Sequence, residues 1–110
     1  MKKDYKKLVR DLIPDIIRRN GSTCETRTMG LQEYRQALVE KLCEEAGEVR
    51  QATGMHETTQ LITELADVYE VLEAVLNAYD IIPSTLQSEQ HKRRLERGGF
   101  EQRIELLWTE

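Results

Sequence analysis

Aromatic residues are scarce in this 110-residue chain: one Trp, one Phe and four Tyr make up 5% of it. Few side chains are therefore on hand to stack a planar ligand, and for Trp108, Tyr34, Tyr69 and Tyr79 packing is the default role. Cysteine is limited to Cys24 and Cys43, far apart and without a CxxC spacing, which argues against a zinc site and for reduced thiols. His56, in a connection, and His91, within a late helix, read as surface residues rather than ligands. No apolar run is long enough for a signal peptide or a membrane span, and the Met1-Lys2-Lys3 start leads into charged sequence, so a cytoplasmic location is expected. Internal repeats and low-complexity linkers are missing too. The net charge of -4 offers nucleic acid no general attraction, and none is expected as a partner.

What is present is charge and helical periodicity. With 33% charged and 39% hydrophobic residues, the composition is that of a soluble, mainly α protein, and the length suits one domain over residues 1–110. Leu8, Val9, Leu12, Ile13, Ile16 and Ile17 recur at helical spacing; Pro14 places the helix start near Ile13, and Gly21 ends it. Two long amphipathic segments follow. One runs from Leu31 to Thr53 on Leu31, Tyr34, Leu38, Leu42, Val49 and Ala52, the other from about Thr58 to Tyr79 on Leu61, Leu65, Val68, Leu72, Val75 and Leu76. The short link through Gly54 and His56 makes them an antiparallel hairpin. A further helix starts at Pro83 or Ser84, continues to Glu96 and stops at Gly98-Gly99. Residues 22–29, with three threonines and alternating polarity, read as a strand, and residues 100–109 are the available mate, so a small β-hairpin is expected.

Four acids stand out within the two long segments as i, i+3 pairs: Glu45 with Glu48, and Glu64 with Asp67. Measured from Leu38, Glu45 falls at about -20° and so within the apolar stripe, and Glu48 at about -80°. Measured from Leu61, Glu64 and Asp67 fall at about -60° and -120°, bordering theirs. Each pair is on the order of 10 residues from the bend, so the hairpin sets them level. Carboxylates beside a buried stripe are costly unless a cation sits among them, and oxygen donors that leave coordination positions open suit Mg²⁺ serving a phosphate substrate. The same spacing also suits solvated i, i+4 pairs, such as Lys41 with Glu45.

The run Glu44-Glu45-Ala46-Gly47-Glu48, followed after 15 residues by Glu64-Leu65-Ala66-Asp67, resembles the EExxE…ExxD signature of the MazG-like all-α nucleoside triphosphate pyrophosphatases. Lys7-Leu8-Val9-Arg10-Asp11-Leu12-Ile13-Pro14 is similar to the KLVRDxIP run, and Arg97-Gly98-Gly99-Phe100 to the RGGF run, of a small single-domain branch related to phosphoribosyl-ATP pyrophosphohydrolases. Together these motifs span nearly the whole chain. The resemblance implies Mg²⁺-dependent hydrolysis between the α and β phosphates of a nucleoside triphosphate, giving a monophosphate and pyrophosphate, with Mn²⁺ as a substitute ion. It implies Glu45, Glu48, Glu64 and Asp67 as metal ligands, and Glu44 or Glu45 as the group that orients the attacking water.

Lys7 and Arg10 in the first run, and Lys92, Arg94 and Arg97 in or before the last, are the candidate phosphate-binding residues; solvated helix faces are the plainer reading of each. Gly98 and Gly99 suit a helix stop at least as well as an anion-binding turn. Related proteins pair their hairpins into four-helix bundles, so a homodimer or homotetramer is expected. Phosphoribosyl-ATP pyrophosphohydrolase itself is the nearest enzyme alternative to a house-cleaning nucleotide pyrophosphatase. A non-catalytic interaction protein on the same scaffold is the alternative from another class.

Overall fold

Proline fixes where two of the helices begin. Its ring suits the first turn, where the missing N–H costs no hydrogen bond, and Pro14 and Pro83 both stand there. The computed structural model describes residues 2–3, 5–54 and 58–110. These contain four helices, α1 (Ile13–Arg19), α2 (Leu31–Thr53), α3 (Thr58–Ala78) and α4 (Pro83–Arg97), as the periodicity predicts. Asp15 in the first turn of α1 and Arg18 and Arg19 in its last complement the helix dipole. Beyond them Gly21, at φ +88°, closes the helix by donating its N–H to the Arg18 carbonyl.

The chain divides into two compact units, Met1–Asp80 and Ile81–Glu110. In the first, α2 and α3 pack side by side, and one long-range bond shows their direction. Arg35, in the second turn of α2, donates from Nε to the carbonyl of Ala78 at the last residue of α3, at 2.7 Å. Its guanidinium also lies over the Tyr79 ring, 4.7 Å from the centroid. The start of α2 thus meets the end of α3, and the pair is antiparallel. Leu38, Ala52, Val71 and Ala78 are buried along the seam. The predicted link at residues 55–57, including His56, lies outside the described residues.

The packed face of α3 takes in most of the stripe the sequence pattern selects, with Leu61, Val68, Leu72, Val75 and Leu76 half-buried, but its centre is turned toward the acids, leaving Leu65 exposed. Measured from Val71, Ala78 lies at about -20°, Glu64 at about +20° and Asp67 at about -40°, whereas Leu65, Tyr69 and Ile62 lie at about +120° to +180°. The last three are exposed. Glu64 and Asp67, expected at the border of the stripe, therefore occupy the packed face.

The strands expected at residues 22–29 and 100–109 do not form. Instead of a ladder, residues 22–29 are held by side chains: Cys24 reaches back with its thiol to the Pro14 carbonyl at 3.8 Å, and Arg27 pairs with Glu33 in the first turn of α2. In the second unit, α4 buries no residue and ends at Gly98, at φ +81°. A turn follows, with the Arg103 N–H donating to the Phe100 carbonyl and Arg103 itself in the left-handed region, which breaks the extended run at its start. Among the described residues, no helix is long and apolar enough to cross a membrane.

Arg35→Ala is expected to destabilise the protein by roughly 1–3 kcal/mol in urea unfolding, because the charged hydrogen bond and the ring contact go together. Lysine, without the planar fork, should restore less than half of the loss; full rescue by Arg35→Lys would mean that charge alone holds the end of α3.

Candidate metal centre

Acids on one helix face come together only where a second helix presents its own. Glu45 sits at about -20° from buried Leu38, directly in the seam of α2. Opposite it, Glu64 and Asp67 project from the packed face of α3. One carboxylate oxygen from each of the three lies within 4.8 Å of the other two. Glu45 is the most enclosed of the residues here that form ion pairs, with its side chain 12% exposed.

Donors surround the trio without neutralising it. Gln60 donates to Glu64 at 2.6 Å from one turn earlier on α3. Arg10 donates from Nη2 to Asp67 Oδ1 at 2.6 Å, across 57 residues of sequence. Lys41 places its Nζ 3.5 Å from Glu44 and 3.9 Å from Glu45. Four carboxylates (Glu44, Glu45, Glu64, Asp67) against two cations (Arg10, Lys41) leave a local charge of -2. The Glu45 carboxyl is consequently pushed up from its ordinary value, first by burial and then by Asp67, Glu44 and Glu64, against the opposing pull of Lys41.

This donor set fits a hard divalent cation. The three groups that converge are all carboxylates, with neither imidazole nor thiolate among them, which suits Mg²⁺ or Mn²⁺ rather than zinc or copper. Three protein ligands would leave positions for water and for phosphate oxygens.

Of the other sequence-derived residues, Glu48 is exposed on α2 and stands outside the trio, and Glu44 is exposed beside it. Lys7 lines a groove of about 230 Å³ that also includes Lys6, Met29, Gln36, Lys41 and Glu44, so the groove shares two residues with the surroundings of the acidic trio. Lys41 and Lys6 were not among the candidates. Lys41 carried a signal, its i, i+4 spacing to Glu45, but that spacing is equally that of a solvated surface pair. Lys92, Arg94 and Arg97 are exposed on α4 in the second unit, where Arg94 is paired with Glu101. The Gly98 N–H is spent on the Arg94 carbonyl at 2.7 Å, which makes this end a helix stop rather than an anion cradle. Gly99 leaves room for the Arg94–Glu101 pair, since a Cβ there would meet both side chains. His91 is exposed, as expected.

No protein-family model matches the chain, and no solved structure matches it. It is similar to an uncharacterized protein of Mycolicibacterium smegmatis (strain ATCC 700084 / mc(2)155), at 51% identity over 45 residues, which cover 41% of this chain and 46% of that protein. The match thus spans about half the length of that relative.

A raised Glu45 carboxyl sets the sign of a pH dependence. In metal-free protein its contribution to stability is complete while it is protonated, below the ordinary carboxylate range, and is lost as pH rises through the raised value. Glu45→Gln, neutral throughout, should therefore gain in melting temperature over wild type between about pH 4 and about pH 7 in EDTA. A difference that stays flat over that range would contradict the burial of an ionisable group at this position.

Proposed function

We propose that the protein is a Mg²⁺-dependent nucleoside triphosphate pyrophosphohydrolase of the MazG-like kind, cleaving between the α and β phosphates to give a monophosphate and pyrophosphate, as a cytoplasmic house-cleaning enzyme of the nucleotide pool. One observation carries the reading. The acids that converge from α2 and α3 stand at positions of the EExxE…ExxD pattern, which spacing alone would also allow on a solvated surface.

Glu45, Glu64 and Asp67 hold the ion in this reading, and Glu48 approaches only if its side chain turns toward the trio. Mg²⁺ bound there would neutralise charge on the α phosphate and lower the pKa of a bound water. Glu44 is accessible and adjacent to the trio, so it is suited to orient that water, while enclosed Glu45 serves as ligand. Lys7 and Lys41 in the groove, with Arg10 at Asp67, supply positive charge for the β and γ phosphates. Lys92, Arg94 and Arg97 are the remaining basic group in this reading.

The exposed second face of α3 supports assembly into a homo-oligomer. A helix apolar on both sides is stable in water when both are covered, and here Ile62, Leu65 and Tyr69 are left open on the side away from α2. Pairing that face between two hairpins would give a four-helix bundle.

Two measurements test the proposal. Pyrophosphate release from standard and modified nucleoside triphosphates and from phosphoribosyl-ATP is expected with Mg²⁺, none with EDTA, and at least about 100-fold less from Glu64→Gln. Folded wild type that releases pyrophosphate from no substrate would contradict the enzyme reading, and release from phosphoribosyl-ATP alone would select that narrower activity. In light scattering at micromolar concentration the protein should exceed its 12.8 kDa chain mass at least twofold; a monomer would count against the bundle.

A further inference from the structure

Arg10 belongs to a segment with no regular structure before α1, and it nevertheless reaches the middle of α3. Its bond to Asp67 ties residues 5–12 to the acidic trio. The contact is single, from one guanidinium nitrogen to one carboxylate oxygen, although a guanidinium can grip a carboxylate with two parallel bonds. The Arg10 side chain is 55% exposed and that of Asp67 35%, so the pair stands at the mouth of the centre rather than inside it. An ion pair of that exposure is weak and easily exchanged. Lys41 differs: its side chain is 19% exposed, it lies on α2 itself, and its nitrogen stands 3.9 Å from Glu45, too far for a tight bond.

A divalent cation bound to the trio would take Asp67 at about 2.1 Å. The guanidinium now 2.6 Å from that carboxylate would then face an ion of twice its own charge competing for the same group. We propose that Arg10 is an exchangeable counter-ion of the acidic centre: it occupies Asp67 when no metal is bound, is displaced when a divalent cation enters, and then turns to the polyphosphate of the substrate. The inference rests on the reading of the trio as a divalent-metal centre, and it adds an order of events. The ion comes first, and its arrival releases the group that binds phosphate, so ion and polyphosphate reinforce each other through Arg10 as well as through direct contact. In the metal-free protein the same residue spares Asp67 from standing unpaired beside Glu45 and Glu64.

The test is calorimetric titration of Mn²⁺ into wild type, Arg10→Gln, Glu64→Gln and Arg50→Gln, followed by titration of inorganic tripolyphosphate into the metal-free and Mn²⁺-loaded forms. Arg50 is an exposed cation on α2 and controls for the loss of one positive charge. Arg10→Gln should bind Mn²⁺ roughly 2- to 5-fold more tightly than Arg50→Gln, the scale of an exposed ion pair expressed as a binding ratio. Tripolyphosphate should bind Mn²⁺-loaded Arg10→Gln roughly 10-fold more weakly than loaded wild type, while the two metal-free proteins differ little. If Arg10→Gln gains no Mn²⁺ affinity over Arg50→Gln while Glu64→Gln loses it, the metal centre stands and the counter-ion role falls. If wild type binds Mn²⁺ no better than Glu64→Gln, the centre and the inference fall together. Circular dichroism of each variant before titration separates either result from a loss of fold.

Discussion

Carboxylates packed between two helices are the constraint around which the first unit is arranged. A seam between amphipathic helices is ordinarily closed by apolar side chains along its length, and here it is so closed at its two ends. Leu38 and Ala78 are buried near the end that Arg35 ties, and Ala52 near the other. Between them stand Glu45, Glu64 and Asp67. Burial and mutual repulsion push the Glu45 carboxyl upward, so the middle of the seam works against the ends. A sequence under selection for stability alone would place leucine there. Packing and polarity therefore disagree locally at these three acids.

The cations around the seam follow from that constraint. Lys41 comes from the same helix, one turn before Glu45, and its ammonium approaches both Glu44 and Glu45. Arg10 comes from far away in sequence and helps to place a segment without secondary structure of its own. In the same unit, Arg27 with Glu33 and the Cys24 thiol with the Pro14 carbonyl hold the irregular stretch between α1 and α2. Side chains do for these segments what backbone ladders do for strands.

Helix limits were largely legible in the sequence because local residues encode them. Pro14, Gly21, Gly54, Pro83 and Gly98 mark starts and stops whose physics needs no knowledge of the rest of the chain. Which side of α3 turns inward was legible in outline, since Leu61, Val68, Leu72, Val75 and Leu76 are half-buried, but the centre of that side was not. Its apolar residues cover more than half of its circumference, so their periodicity centres on a stripe that includes exposed Leu65. Packing against α2 turns that stripe toward Val71 and Ala78. The strand at residues 22–29 failed for a related reason: β pairing is a property of two segments, and alternation in one of them carries no information about whether the other is extended.

Glu64 and Asp67 border the stripe when angles are taken from Leu61, and lie on the packed side when they are taken from buried Val71. The acidic motif and the hydrophobic pattern are therefore not independent signals on α3. One face is apolar but interrupted by carboxylates, and the other, with Ile62, Leu65 and Tyr69, is apolar and open. Both faces on one helix, one turned to α2 and one to solvent, divide its surface between the acidic cluster and an exposed apolar patch. Their separation of roughly 100° or more around the axis lets either change with little geometric effect on the other.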